Sequence, residues 1–189
     1  VVPWAHGFKS IKWLQHIRLT NDHRANDTYA EKNNDPESHL KTAAYLDDVI
    51  VSGKTAHIGG WVISGLSGLS HVETWLRPAG AALAENSTEW QKADWKPAQL
   101  DSPPDWKTVL PAGVKPQDIL GFDKTTGKPL TWPLRHSMVG FSTALRDLKP
   151  GKYEVRARSV DLNGFAQPEP RSIQKSGKNG IQVRTFTIA

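Results

Sequence analysis

The seven histidines (His6, His16, His23, His39, His57, His71 and His136) are the residues most able to hold a metal ion. None forms a His-x-His or His-x-x-x-His pair, so a zinc site would need partners brought together from far apart in the chain. His71 and Glu73 share one face of a predicted strand, which reads as a solvated pair. Asp161 and Asn163 fit neither a carboxylate dyad nor a calcium loop. They read instead as a turn, Asp161-Leu162-Asn163-Gly164, with Asn163 and Gly164 at positive φ. There is no cysteine, which excludes disulfides, thiolate ligands and a cysteine nucleophile. Arg135 and His136 follow Trp132-Pro133, and from the residues alone Arg135 reads as a surface arginine.

These residues sit on a chain whose pattern is that of strands. Its 189 residues suit one domain with long insertions. The 38% hydrophobic content suffices for a core, and eight Trp against one Met favour β-structure. Residues 9–20 alternate, with Ile11, Trp13, Ile17 and Leu19 on one parity and Ser10, Lys12, His16 and Arg18 on the other. Further strands are predicted at 48–52, 55–64, 70–77, 138–145, 152–161 and 180–188. The Gly59-Gly60 pair suggests a bulge or a close backbone approach. Asp35-Pro36-Glu37 suits a helix start, with Leu40, Ala43 and Ala44 facing inward on a short helix ending near Leu46. Residues 21–36 read as a long polar loop.

Seven of the thirteen prolines lie in residues 96–135. Periodicity is lost there, and the segment reads as a surface excursion pinned by Trp95, Trp106 and Trp132. About seven strands without βαβ spacing predict an all-β, immunoglobulin-like sandwich of E-set type carrying this Pro/Trp-rich excursion.

The net charge of +5 is spread without a cluster, so nucleic acid is not expected as a partner. No apolar run approaches the roughly 20 residues of a membrane span, and no membrane partner is expected. No signal peptide is visible. The chain opens Val1-Val2-Pro3-Trp4 without Met, which reads as a fragment or a processed product.

Three stretches carry a resemblance when taken in order. They are Gly7-Phe-Lys-Ser-Ile-Lys-Trp-Leu14; Gly65-Leu-Ser-Gly-Leu-Ser-His-Val-Glu73 with Trp90-Gln-Lys-Ala93 downstream; and the stretch from Gly151-Lys-Tyr-Glu through Asp161-Leu-Asn-Gly to Pro168-Glu169. Together they resemble the C-terminal dimerisation domain of the sulfite oxidase family of molybdenum-cofactor oxidoreductases. Long segments at 78–88 and 96–135 mark a divergent branch.

The resemblance implies a homodimer and a molybdopterin-binding domain upstream in the same polypeptide, in a parent that is periplasmic or otherwise exported. Residues 1–8 would be the tail of that upstream domain or a linker, and 9–189 the dimerisation domain. It also implies that Ser10, Ile11 and Lys12 lie at the edge of the molybdopterin site. A Lys ammonium and backbone N–H groups suit an anionic phosphate there. Arg135 becomes the candidate for an arginine lent to a small oxyanion substrate. The cofactor itself belongs to the parent enzyme and would be absent from this fragment. A rival reading is a secreted carbohydrate-binding sandwich, which would need two or three Trp coplanar on one sheet face.

Overall fold

The computed structural model describes residues 13–17, 40–84, 87, 89–168 and 179–189. Among them the protein is all-β, with eight strands: β1 (Ala43–Leu46), β2 (Ile50–Ser52), β3 (Thr55–Ile63), β4 (Leu69–Pro78), β5 (Lys96–Leu100), β6 (Met138–Leu145), β7 (Gly151–Asp161) and β8 (Val183–Ile188). Every pairing is antiparallel. The order is β1-β3-β6-β5-β4-β7-β8, with β2 also on β3.

β5 divides this path into two layers. Its first half pairs with β4 through Lys96, Pro97 and Ala98, and its second half pairs with β6 through Gln99 and Leu100. One layer is therefore β1-β3-β6-β5 and the other β4-β7-β8. This matches the ABED and CFG layers of an immunoglobulin constant-type sandwich.

The core is the inward parity of both layers. Ile58 and Val62 on β3, Val139 and Phe141 on β6, Val72 on β4, Val155 and Ala157 on β7, and Ile188 on β8 are all buried. Alternation in the sequence places these residues on one side because successive side chains of a strand point to opposite faces. Gly60 also lies on the inward parity. A β-carbon there would sit 2.8 Å from the Phe141 ring and against the Tyr45 carbonyl. The register through Gly59 and Gly60 is continuous, so the glycine pair marks a close approach and no bulge.

Four sequence expectations differ from the structure. Of the strand predicted at 9–20, the described part, residues 13–17, forms no strand. Trp13 has φ 59, which interrupts extended backbone, and it is 92% exposed. Ile17, on the same parity, is exposed as well.

The helix predicted to end near Leu46 is strand β1, held against β3 from Ala43 to Leu46. Both of its faces are largely covered, so no alternation betrays it.

The first five residues of the predicted excursion form β5, Pro97 included. β6 reaches only Gln99 and Leu100, so no strand lies beside Pro97 on the side away from β4, where a proline is tolerated.

At the β7 turn, Gly164 has φ 85 but Asn163 is not at positive φ. The Asp161 carboxylate holds the turn instead, accepting from Asn163 N at 2.8 Å and Phe165 N at 2.9 Å.

Candidate functional site

The excursion between β5 and β6 builds a concavity with one charged residue in its wall. Two of its tryptophans do pin it. Trp106 meets Phe122 edge-on at 4.9 Å and Trp132 at 6.0 Å, and Phe122 is buried. The Trp132 indole Nε1 donates to the Asp101 carbonyl at 2.8 Å, tying the end of the excursion to its start. Between them, residues 121–130 fold back on themselves. Leu130 N donates to Gly121 O and Asp123 N to Lys128 O, each at 2.8 Å. The Asp123 carboxyl is held below its ordinary value by the Thr126 backbone N–H and, next, the Thr126 hydroxyl.

The chain returns to the sandwich at the end of β3. Ser64 N donates to Ser137 O at 2.9 Å and His136 N to Ser64 O at 2.7 Å. His136 takes φ 59 to make this turn. Arg135, just before it, runs past Gly68, with its Nε 3.6 Å from where a β-carbon on that glycine would stand. Gly68, at φ 77, closes the turn from Gly65.

The result is a trough of about 820 Å³, walled on the sandwich side by Gly68 and Leu162 and on the excursion side by Leu120, Leu130, Trp132 and Arg135. Arg135 is the single charged residue among the residues lining it.

A second feature is the outer face of β4 and β7. The register opposes Glu73 to Arg158, Trp75 to Arg156 and Arg77 to Glu154. Arg158 reaches Glu73 at 2.7 Å and lies 4.2 Å from the Trp95 ring. Arg156 and Arg77 flank Trp75 at 5.5 and 5.7 Å, and both bind Glu154. Trp95 stands 5.8 Å from Trp75. Arg77 also binds Glu89 and the Ala81 carbonyl, so the β4–β5 connection roofs this face.

Burial alone would raise the Glu154 carboxyl, but hydrogen bonds from Arg156 and Arg77 overcome it and hold the pKa below the ordinary 4.5. His71 does lie beside Glu73, at 3.2 Å. Among the described residues, these carboxylates and guanidiniums pair with one another.

The third feature is the outer face of β1, β3 and β6. Tyr45, Trp61, Ile63 and Met138 form a shallow apolar hollow there, rimmed by Asp47 and Arg184. Trp61 is 46% exposed, and the space over Gly59, two residues along β3 on the same face, is open.

Ser10, Ile11 and Lys12 lie outside the described residues. Arg135 lies on the trough. Trp95 anchors the β4–β7 face rather than the excursion. Trp61 and Trp75 stand on different layers, so these two do not share the platform that the carbohydrate reading requires. The trough leucines were not legible as a site, because a Leu in an aperiodic, proline-rich segment carries no signal of which way it faces.

Among the described residues no three His, Asp or Glu groups are placed to hold a metal ion. No helix among them is long and apolar enough to cross a membrane. Neither a protein-family model nor a curated protein matches this chain.

Proposed function

We propose that this chain is the dimerisation domain of a molybdopterin-dependent oxidoreductase resembling sulfite oxidase. The observation that carries the reading is the apolar outer face of β1, β3 and β6. Tyr45, Trp61, Ile63 and Met138 line a hollow on it, where the exposed Trp61 and Met138 offer apolar side chains to a partner surface. Gly59 leaves room beside Trp61 for a second sheet to approach. A two-fold pairing of this face on itself would bury Trp61 of both copies in an isologous interface.

In the same reading Ser10, Ile11 and Lys12 contribute one edge of the cofactor site, with Lys12 and backbone N–H groups facing phosphate. The exposed Trp13 and Ile17 just after them suit a segment covered by another domain. The chain has no cysteine, so the thiolate ligand of the metal comes from the upstream domain. The cofactor supplies the redox chemistry when bound; this chain's residues position and pair. Arg135 is the cation this domain would lend to an oxyanion.

Sedimentation velocity of the chain tests the pairing. A dimer that Trp61→Glu converts to monomer supports it. A monomer at every concentration up to hundreds of micromolar, or turnover of a sulfur oxyanion by this chain alone, overturns it.

A further inference from the structure

The trough at the β5–β6 excursion is built unlike a site for a bare inorganic anion. Its volume of about 820 Å³ lies within the range of roughly 300–1,000 Å³ that holds small organic ligands. Three of its wall leucines are left in water: Leu120 is 96% exposed, Leu130 67% and Leu162 58%. Covering these side chains removes apolar surface from water, which favours an apolar occupant.

Charge enters at one place. Arg135 makes no ion pair with a described residue, and it is the one charged residue in the wall. Its guanidinium stem and the Leu162 side chain meet over Gly68, where a β-carbon would lie 2.7 Å from Leu162 Cδ1 and 3.6 Å from Arg135 Nε. The cation therefore sits directly beside the apolar wall. The buried carboxylate of the β7 turn, Asp161, accepts from the backbone N–H groups of Asn163 and Phe165.

We propose that this trough binds a small amphiphilic anion, its carboxylate or sulfonate head on Arg135 and its apolar body between Leu120, Leu130 and Leu162. Charge complementarity chooses the head, because a guanidinium pairs two oxygens of a carboxylate or sulfonate with two parallel hydrogen bonds. The leucines choose the body. The inference shares Arg135 with the proposed function and deepens it, but it needs no molybdenum enzyme around it.

The test is calorimetric and NMR titration of the whole chain with three probes. Octanoate carries head and body, acetate the head alone and octan-1-ol the body alone. Octanoate should bind at least about tenfold tighter than either of the others, the worth of one charge-assisted hydrogen bond. Its amide shifts should centre on Gly68, Gly121 and Arg135, with the Trp132 indole. Arg135→Gln should bring octanoate down to the affinity of octan-1-ol, and Leu162→Asp should abolish binding of both.

Both substitutions are at exposed positions, and unchanged circular dichroism confirms the fold. Acetate binding as tightly as octanoate would overturn the apolar body while leaving Arg135 as an anion site. Octan-1-ol matching octanoate, or shifts centred away from the trough, would overturn the proposal altogether. None of these outcomes changes the sedimentation result, so the two readings fail separately.

Discussion

The Gln167 side-chain oxygen accepts from the Ala44 backbone N–H at 2.9 Å, across 123 residues of chain. The same amide nitrogen donates to the Gly180 carbonyl, and the same oxygen accepts from Ser159 on β7. Gln167 thus stands in the gap between β1 and β7, where the two layers come together. Other side chains continue its work along the open edge of β1. Asn179 donates to the Thr42 carbonyl at 3.0 Å, the Gln182 oxygen accepts from Leu46 N at 3.3 Å, and Arg184 donates to the Leu46 carbonyl at 2.9 Å. Side-chain amides and a guanidinium thereby satisfy backbone groups that a neighbouring strand would otherwise pair, and a satisfied edge does not recruit another chain.

Gln167→Leu keeps the volume and removes every bond that the Gln167 side chain makes. Gln167 is 2% exposed, so Ala44 N and the Ser159 hydroxyl would be buried without their partner. The expected loss is about 3 kcal/mol, from roughly 1–3 kcal/mol for each stranded group. Urea denaturation measures it. A change smaller than about 0.5 kcal/mol, the scale of an ordinary surface substitution, would show the amide to be incidental.

Glu154 predicts an acid limb of stability. Its folded pKa is depressed below the ordinary 4.5, so as the pH falls the unfolded chain takes up the proton first. The stabilisation is whole above about pH 4.5 and is lost as the pH falls through the folded value. Glu154→Gln should cost about 3 kcal/mol at neutral pH, because the buried Arg156 loses its counter-charge. The variant's stability should then change less than the parent's between pH 5 and pH 3. Parallel profiles from thermal denaturation would remove Glu154 as the cause.

The adjacent glycines of β3 should respond in opposite ways. Gly60→Ala drives a methyl into the Phe141 ring and the Tyr45 carbonyl, an overpacking worth about 1–3 kcal/mol. Gly59→Ala meets open space and should leave the midpoint unchanged or slightly raised. Equal effects at the two positions would contradict the facing of this strand.

Trp61→Glu is expected to abolish self-association without loss of fold. The tryptophan is half exposed on the outer face of β3. Sedimentation of parent and variant, with circular dichroism on both, separates loss of the interface from loss of structure. A variant that stays dimeric would move the interface elsewhere.

Alternation along the chain by itself determined the all-β class and the inward parity of β4 and β7, and the residue types Asp161-Leu162-Asn163-Gly164 marked the turn after β7. That legibility follows from strand geometry, because a two-residue period is a property of the extended backbone alone. It did not extend to β1, where Ala43 and Ala44 are both buried and no alternation exists to be read. Nor did it extend to β5, where Pro97 masks a strand whose two halves pair with different neighbours, β4 and β6.

The tertiary structure alone decided which polar faces are dry. Glu154 and Arg156 occupy the outward parity of β7 as the pattern requires, yet both are buried. The chain that roofs them departs after β4, some seventy residues earlier. The same holds for Arg135. As a residue it is an arginine near the end of an aperiodic segment. It becomes the charged wall of a trough only because the excursion folds back onto the turns before β4 and after β7. Local pattern records how a backbone is extended; burial and charge environment depend on what distant chain covers it.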